Sequence, residues 1–254
     1  MFPIRDGVAI RYPAIGTWAL IAVNVIVFLF QASLSPLALE RFLSAFALIP
    51  ARYFGDLKVM MPPEGIFDYL PFVSNMFLHG GWLHLILNMW TLWIFGPAVE
   101  DRLGTVRFLG FYLTVGISAS FAHAIVNANS AVPALGASGA IAGVIGCYVR
   151  KFPTARLVVM IPILIFPFFF EIPAIIFSFF WLLTQIIPGI AALMMPTNGA
   201  GIAWWAHIGG FIAGWMLAPL VGRPTRSYRR YYADEGRYGF LPNGRRSSRG
   251  QSWV

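Results

Sequence analysis

Charge is scarce in this chain. Asp, Glu, Lys and Arg together make up 11% of the 254 residues, while apolar residues make up 58%. Soluble domains carry about 25% charged residues. The composition therefore excludes an ordinary soluble globule and points to an integral membrane protein. Cysteine is scarcer still. Cys147 stands alone, which excludes an intrachain disulfide, and its apolar setting suits inert packing. No aspartate lies inside any of the long apolar runs, so an intramembrane aspartyl pair is excluded. The zinc-protease pattern His-Glu-x-x-His is also missing, because His84 is followed by Leu85, Ile86, Leu87 and Asn88, and no acidic residue is near His207.

The charge that is present is unevenly placed. The net charge is +8, and residues 223–254 hold eight arginines against Asp234 and Glu235. Next to a membrane span, such a tail reads as attraction to anionic lipid and control of topology, with no role in binding nucleic acid. Its Arg, Ser, Gly and Tyr content predicts disorder.

Six apolar segments, near residues 16–32, 76–98, 106–127, 137–150, 171–193 and 205–222, are expected to be spans. The fold class expected is an all-α polytopic membrane protein with a short central fourth helix. At about 14 residues, or ~21 Å, that helix cannot cross a ~30 Å core unaided. With the N-terminus in the cytoplasm, fifteen Lys and Arg fall inside and three (Arg41, Arg52 and Lys58) fall outside, so both termini are expected in the cytoplasm. A cleaved signal peptide ending near Ala32 is the alternative for the first segment, but it would break the even number of crossings. Residues 33–75 read as an interfacial element or an ordinary long outer loop. Residues 156–170 read as an apolar loop on the cytoplasmic side, with Glu171 near the interface.

Polar residues at membrane depth are costly unless paired or used. Ser138 opens the fourth segment between Gly136 and Gly139, His207 lies near the start of the sixth, and His84 and Asn88 lie in the outer half of the second. Spans two, four and six all run inward, so these residues share a level. Ser138 is twelve residues before Arg150, about 18 Å by helical rise, which puts it ~10 Å below the outer surface. A hydrated cavity open to that face is implied.

Small residues form one face of the fourth segment (Gly139, Ala142, Gly143, Gly146). With His207 they form one face of the sixth (Ala203, Gly210, Gly214, Ala218). Such stripes let helices approach closely in lipid, which would bring Ser138 and His207 within hydrogen-bond reach; plain helix packing is the bland alternative. His84 and Asn88 are i, i+4 and can donate to one point beside the N–H groups that open the fourth helix. That assembles a nucleophile, a base and an oxyanion site. By elimination, Ser138 is the catalytic nucleophile. His79 reads as support or loop anchoring and His123 as structural.

These residues resemble the rhomboid family of intramembrane serine proteases over residues 16–222. The resemblance rests on His79-Gly80-Gly81-Trp82-Leu83-His84 with Asn88, on Glu100-Asp101-Arg102-Leu103-Gly104, on Gly136-Ala137-Ser138-Gly139, and on Ala206-His207-Ile208-Gly209-Gly210 with Gly214. It implies a compact six-span bacterial type in an inner cell membrane, with residues 1–15 and 223–254 as cytoplasmic segments. No regulatory domain is expected before the first span and no seventh span after the last. It implies Ser138 as nucleophile, His207 as base and then acid, and an oxyanion hole of His84, Asn88 and the Ser138 N–H, with no third carboxylate, no cofactor and no metal.

Single-span or polytopic membrane proteins would be the substrates and the bilayer a partner; oligomeric state is open. The Glu100–Gly104 stretch would be a structural turn, span five a mobile side, and residues 194–204 a flexible cap. Two departures stand out. A tyrosine commonly one turn after the serine is here Ala142, which leaves Trp204 or Trp205 to support His207. The usual Trp-Arg pair of the first outer loop has only Ala51-Arg52-Tyr53 as its nearest match. Gly136, Ala137 and Ala142 suggest a preference for a small residue before the cut bond. A non-catalytic binder of client helices and a small transporter are the competing functions.

Overall fold

The computed structural model describes residues 1–60, 65–163, 166–194 and 203–222. The expected tail and most of the expected cap, residues 195–202, lie outside the described residues. Helices dominate: α1 Ile15–Ser33, α2 Pro36–Phe46, α3 Leu57–Met60, α4 Pro71–Ser74, α5 Trp82–Leu103, α6 Thr105–Val126, α7 Ser138–Lys151, α8 Ala174–Met194 and α9 Trp204–Leu217. Four of them, α1, α5, α6 and α8, are long and apolar enough to cross a membrane, so the chain is a multi-pass membrane protein. The helix α7 is central. Every residue from Gly139 to Val149 is buried.

The burial of α7 follows from its glycines. A Cβ on Gly143 would stand 2.4 Å from Val115 Cγ2 of α6, and one on Gly146 would stand 2.2 Å from the Phe211 carbonyl oxygen of α9. From the other side, a Cβ on Gly214 would meet the Gly143 carbonyl oxygen at 1.9 Å. The α7 and α9 backbones are therefore in direct contact, as small-residue faces permit in lipid. At the far end of this seam, Lys151 Nζ donates to the carbonyls of Ala218 and Val221, both at 2.8 Å, and so satisfies acceptors at the C-terminus of α9.

The α5–α6 turn pins the N-terminal region. Gly104 adopts φ +81°, a conformation that favours glycine. Just before it, the Glu100 carboxylate accepts from the backbone N–H of Gly16 (2.7 Å) and Thr17 (2.8 Å) and from the hydroxyls of Thr17 and Thr105. A buried anion is thereby satisfied at the positive end of α1. Asp101 Oδ1 accepts from the N–H of Arg11 and of Tyr12, each at 3.0 Å. These contacts give the Glu100–Gly104 motif a structural role at the end of α5.

One region departs from the all-α expectation. Residues 156–170 are not a loop. Arg156–Ile163 (β2) and Phe166–Pro173 (β3) form an antiparallel hairpin, and Phe2–Asp6 (β1) pairs with the other edge of β2, giving the order β1-β2-β3. Val159 faces Phe170 and Leu157 faces Ile172. Leu157 and Val159 are fully buried, while Phe168, Phe169 and Phe170 are exposed. Pro162 pairs with Pro167 near the tip, beyond the reach of β1, where a missing N–H breaks no central ladder. The hairpin also takes Glu171 and Pro173 from the expected fifth span, so α8 begins at Ala174; Glu171 lies 3.9 Å from Arg156 in an exposed ion pair. Likewise α5 starts at Trp82 and not at 76, because residues 75–77 form a tight 3-10 turn.

The segment between α1 and α5 is built of short helices. Arg52 reaches back to the carbonyl and hydroxyl of Ser44 in α2. Leu48, Tyr53, Phe72 and Ala124 form a small separate core. Leu48 and Ala134 exchange backbone hydrogen bonds (3.0 and 2.8 Å), which fixes the stretch that leads into α7.

Candidate active site

Ser138 is the first residue of α7 and His207 lies in the first turn of α9. The glycine seam below them sets their separation. A Cβ on Gly139 would stand 2.7 Å from Ala119 Cβ and 3.4 Å from Ala206 Cβ, so the helices converge at their heads as well. Ser138 Oγ lies 2.7 Å from His207 Nε2, within hydrogen-bond distance. The other ring nitrogen, Nδ1, lies 2.6 Å from Gln185 Oε1 of α8. Trp181 lies beside the ring at 6.2 Å between centroids and 35° between planes, and Trp204 approaches edge-on at 6.2 Å and 86°. Of the two tryptophans expected to support His207, Trp204 is thus the one in ring contact; the Trp205 Nε1 is buried without a hydrogen-bond partner. Ala142 is fully buried.

Opposite this pair, two donors face the loop before α7. Gly136 adopts φ +128°, and a Cβ there would stand 2.7 Å from His84 Nε2 and 3.7 Å from Asn88 Nδ2. Glycine is required both by the backbone conformation and by the close approach. His84 Nδ1 accepts from the Gly80 N–H at 3.4 Å. In neutral imidazole the proton then sits on Nε2, which faces the Gly136 backbone. Asn88 Nδ2 is buried and has no hydrogen-bond partner. A buried donor left unpaired is costly, and sites with a function are where such groups persist. The N–H groups of the first turn of α7 add a third source of donors.

These groups line a cavity of about 680 Å³. Ile141 and Ile145 of α7, Leu83, Leu87 and Thr91 of α5, and Trp181 of α8 also line it. His79 is brought close to His84, at 5.1 Å between ring centroids, but its side chain is buried behind that ring against Phe28. Its main chain is anchored instead: Gln31 of α1 accepts from the His79 N–H (3.1 Å) and donates to its carbonyl (3.2 Å). His123 bonds to Asn127 at the C-terminal end of α6 and makes no hydrogen bond to Ser138 or His207. Cys147 is fully buried.

Sequence reasoning missed Gln31 and Gln185, and placed Trp181 on the mobile side of span five without its contact to His207. The signal for the two glutamines was available. An amide inside an apolar helix needs a partner for the same reason as a serine does.

Comparison with known proteins places the chain. The Rhomboid domain family matches residues 67–224, and this chain belongs to the rhomboid family. It is 34% identical over 100 residues to the mitochondrial presenilin-associated rhomboid-like protein A of Danio rerio, covering 38% of this chain and 26% of that one. It is 31% identical over 163 residues to rhomboid-like protease 5 of Toxoplasma gondii, covering 62% of this chain and 17% of that protein. It is 25% identical over 223 residues to the mitochondrial rhomboid protein 1 of Saccharomyces cerevisiae, covering 84% of this chain and 55% of the relative. The chain thus spans about half or less of the length of these relatives.

Proposed function

We propose that this chain is an intramembrane serine endopeptidase that hydrolyses peptide bonds in or beside the membrane-spanning segments of other membrane proteins. One observation carries the reading above the rest. A serine hydroxyl lies 2.7 Å from an imidazole nitrogen, in a cavity lined by His84 and by Asn88, whose Nδ2 is buried without a hydrogen-bond partner.

In the proposed reaction, Ser138 Oγ attacks the scissile carbonyl carbon while its proton passes to His207 Nε2. The developing oxyanion accepts from His84 Nε2–H, Asn88 Nδ2–H and the Ser138 backbone N–H, donors of a kind worth about 100- to 1000-fold each in rate. The carbon–nitrogen bond then breaks, and the imidazolium gives its proton to the leaving amine. A water repeats the sequence on the acyl ester, which releases the new carboxyl end and restores Ser138. No cofactor enters the scheme.

In this reading α1 and α5 to α9 are the six crossings. The 14-residue helices α7 and α9 extend only ~21 Å each, so the cavity lies below the outer surface and admits water from that side. Residues 16–222 form the membrane domain of a cell inner membrane, and residues 1–15 and 223–254 lie in the cytoplasm. Substrates are single-span or polytopic membrane proteins, with a small residue favoured before the cut bond because the small residues Gly136, Ala137 and Ala142 near the serine suit a narrow space. Equal rates after Trp or Arg would contradict that preference.

The test is cleavage of a single-span substrate by protein in liposomes. Cleavage by wild type and none by Ser138→Ala or His207→Ala is expected. Equal cleavage by Ser138→Ala would remove the serine mechanism, and no cleavage by wild type together with retained substrate binding would favour a client-binding role.

A further inference from the structure

We infer that Gln185 is a positioning residue that fixes the proton of His207 on Nδ1 and thereby keeps Nε2 free as the base for Ser138; the inference rests on the serine-protease reading above. Gln185 lies on the inward stripe of α8 with Ala174, Phe177, Ser178 and Gly189, and is 6% exposed. Its amide is oriented by its neighbours. Gln185 Nε2 donates to the Trp181 carbonyl at 3.1 Å and to Thr184 Oγ1 at 2.8 Å. Thr184 Oγ1 spends its own proton on the same carbonyl at 2.6 Å, so toward Gln185 it can only accept. Both partners of Nε2 are therefore acceptors, which identifies that end of the amide as the nitrogen.

The opposite end, Oε1, meets His207 Nδ1 at 2.6 Å. An amide oxygen carries no hydrogen, so Nδ1 must supply it. In the neutral ring Nε2 then holds a lone pair, and it faces the Ser138 hydroxyl at 2.7 Å. The other tautomer would set two lone pairs against each other at 2.6 Å and turn a proton toward the serine. The chain of donors runs one way, from serine to imidazole to amide oxygen, and the amide hydrogens end on a carbonyl and a hydroxyl. Among the described residues, His84 from α5 and His123 from α6 are ionisable groups near His207. Among the described residues no carboxylate bonds to this imidazole, so the orienting task falls to a neutral amide. Trp181, one turn before Gln185 on the same face, lies beside the ring and limits its rotation.

Holding the wrong tautomer in a serine–histidine site has cost about 10⁴-fold in another protease. A neutral acceptor contributes orientation without charge, so a smaller effect is expected. The full-length protein should be assayed on a single-span substrate as wild type, Gln185→Leu and Gln185→Glu, with Ser138→Ala as control. The tautomer should be read from the ¹⁵N spectrum of histidine-labelled protein, with the His207 signals assigned by their loss in His207→Gln. Wild type should carry its His207 proton on Nδ1. Gln185→Leu should mix the tautomers and lower kcat about 10- to 100-fold with KM changed less than about twofold. Gln185→Glu keeps an acceptor and should restore most of the rate.

A wild-type proton on Nε2 would overturn the assignment, as would wild-type kcat in Gln185→Leu. If Ser138→Ala is inactive while Gln185→Leu is fully active, only the role of Gln185 falls. If Ser138→Ala cleaves as well as wild type, the protease reading itself falls.

Discussion

The α7–α9 seam and the α8 flank reach the same histidine by opposite means. The seam is glycine against backbone, with Gly143, Gly146 and Gly214 leaving no room for a Cβ. It sets how far Ser138 stands from His207 and cannot adjust, because peptide atoms have nowhere to move. The flank is bulky and largely exposed along Phe179, Phe180 and Ile187, and it touches His207 through one hydrogen bond and the face of Trp181. It sets which way the ring and its proton point. Distance comes from the part with no freedom, and orientation from side chains that can repack.

Four substitutions would break or sharpen that contrast. The largest effect is expected in the seam. Gly214→Ala places a Cβ 1.9 Å from a carbonyl oxygen where ordinary contact begins at 3.4 Å, so the helices must part. Misplacement by about 1 Å costs about 100-fold in rate, and overpacking costs about 1–3 kcal/mol or more. Activity should fall by more than ~100-fold, with a lower melting temperature in detergent. Asn88→Ala, on the donor side, should cost about 100-fold in kcat while melting is unchanged; a loss confined to KM would argue that Asn88 binds substrate only.

Smaller effects belong to the flank. Trp181→Ala removes a ring contact of about 1 kcal/mol, so kcat should fall about fivefold, read from initial rates. Phe179→Ala, on the outward face of α8, should leave kcat within about twofold. A flank that matters more than the seam would reverse this order.

Much of this was legible in the sequence, for physical reasons that also explain the gaps. Long apolar runs located α1, α5, α6 and α8. Small residues at helical spacing located the α7–α9 contact, because only glycine and alanine allow backbones so close. Ser138, His207, His84 and Asn88 were visible as polar groups in apolar surroundings, and the structure brings all four to one cavity. The sheet was not legible. Strands β2 and β3 are apolar on both faces, which erases the period-two signal, and the partner strand β1 lies some 150 residues away at the N-terminus. Gln185 was overlooked because an amide suggests no reaction by itself. Its meaning appears only when α8 is placed beside His207.

The central claim is that Ser138 is activated by His207, and the most direct measurement is peptide-resolved mass spectrometry after treatment with a fluorophosphonate. The adduct is expected on Ser138 in the wild type, with labelling lost in His207→Ala. An adduct on a different serine, or undiminished labelling of Ser138 when His207 is replaced, would contradict it.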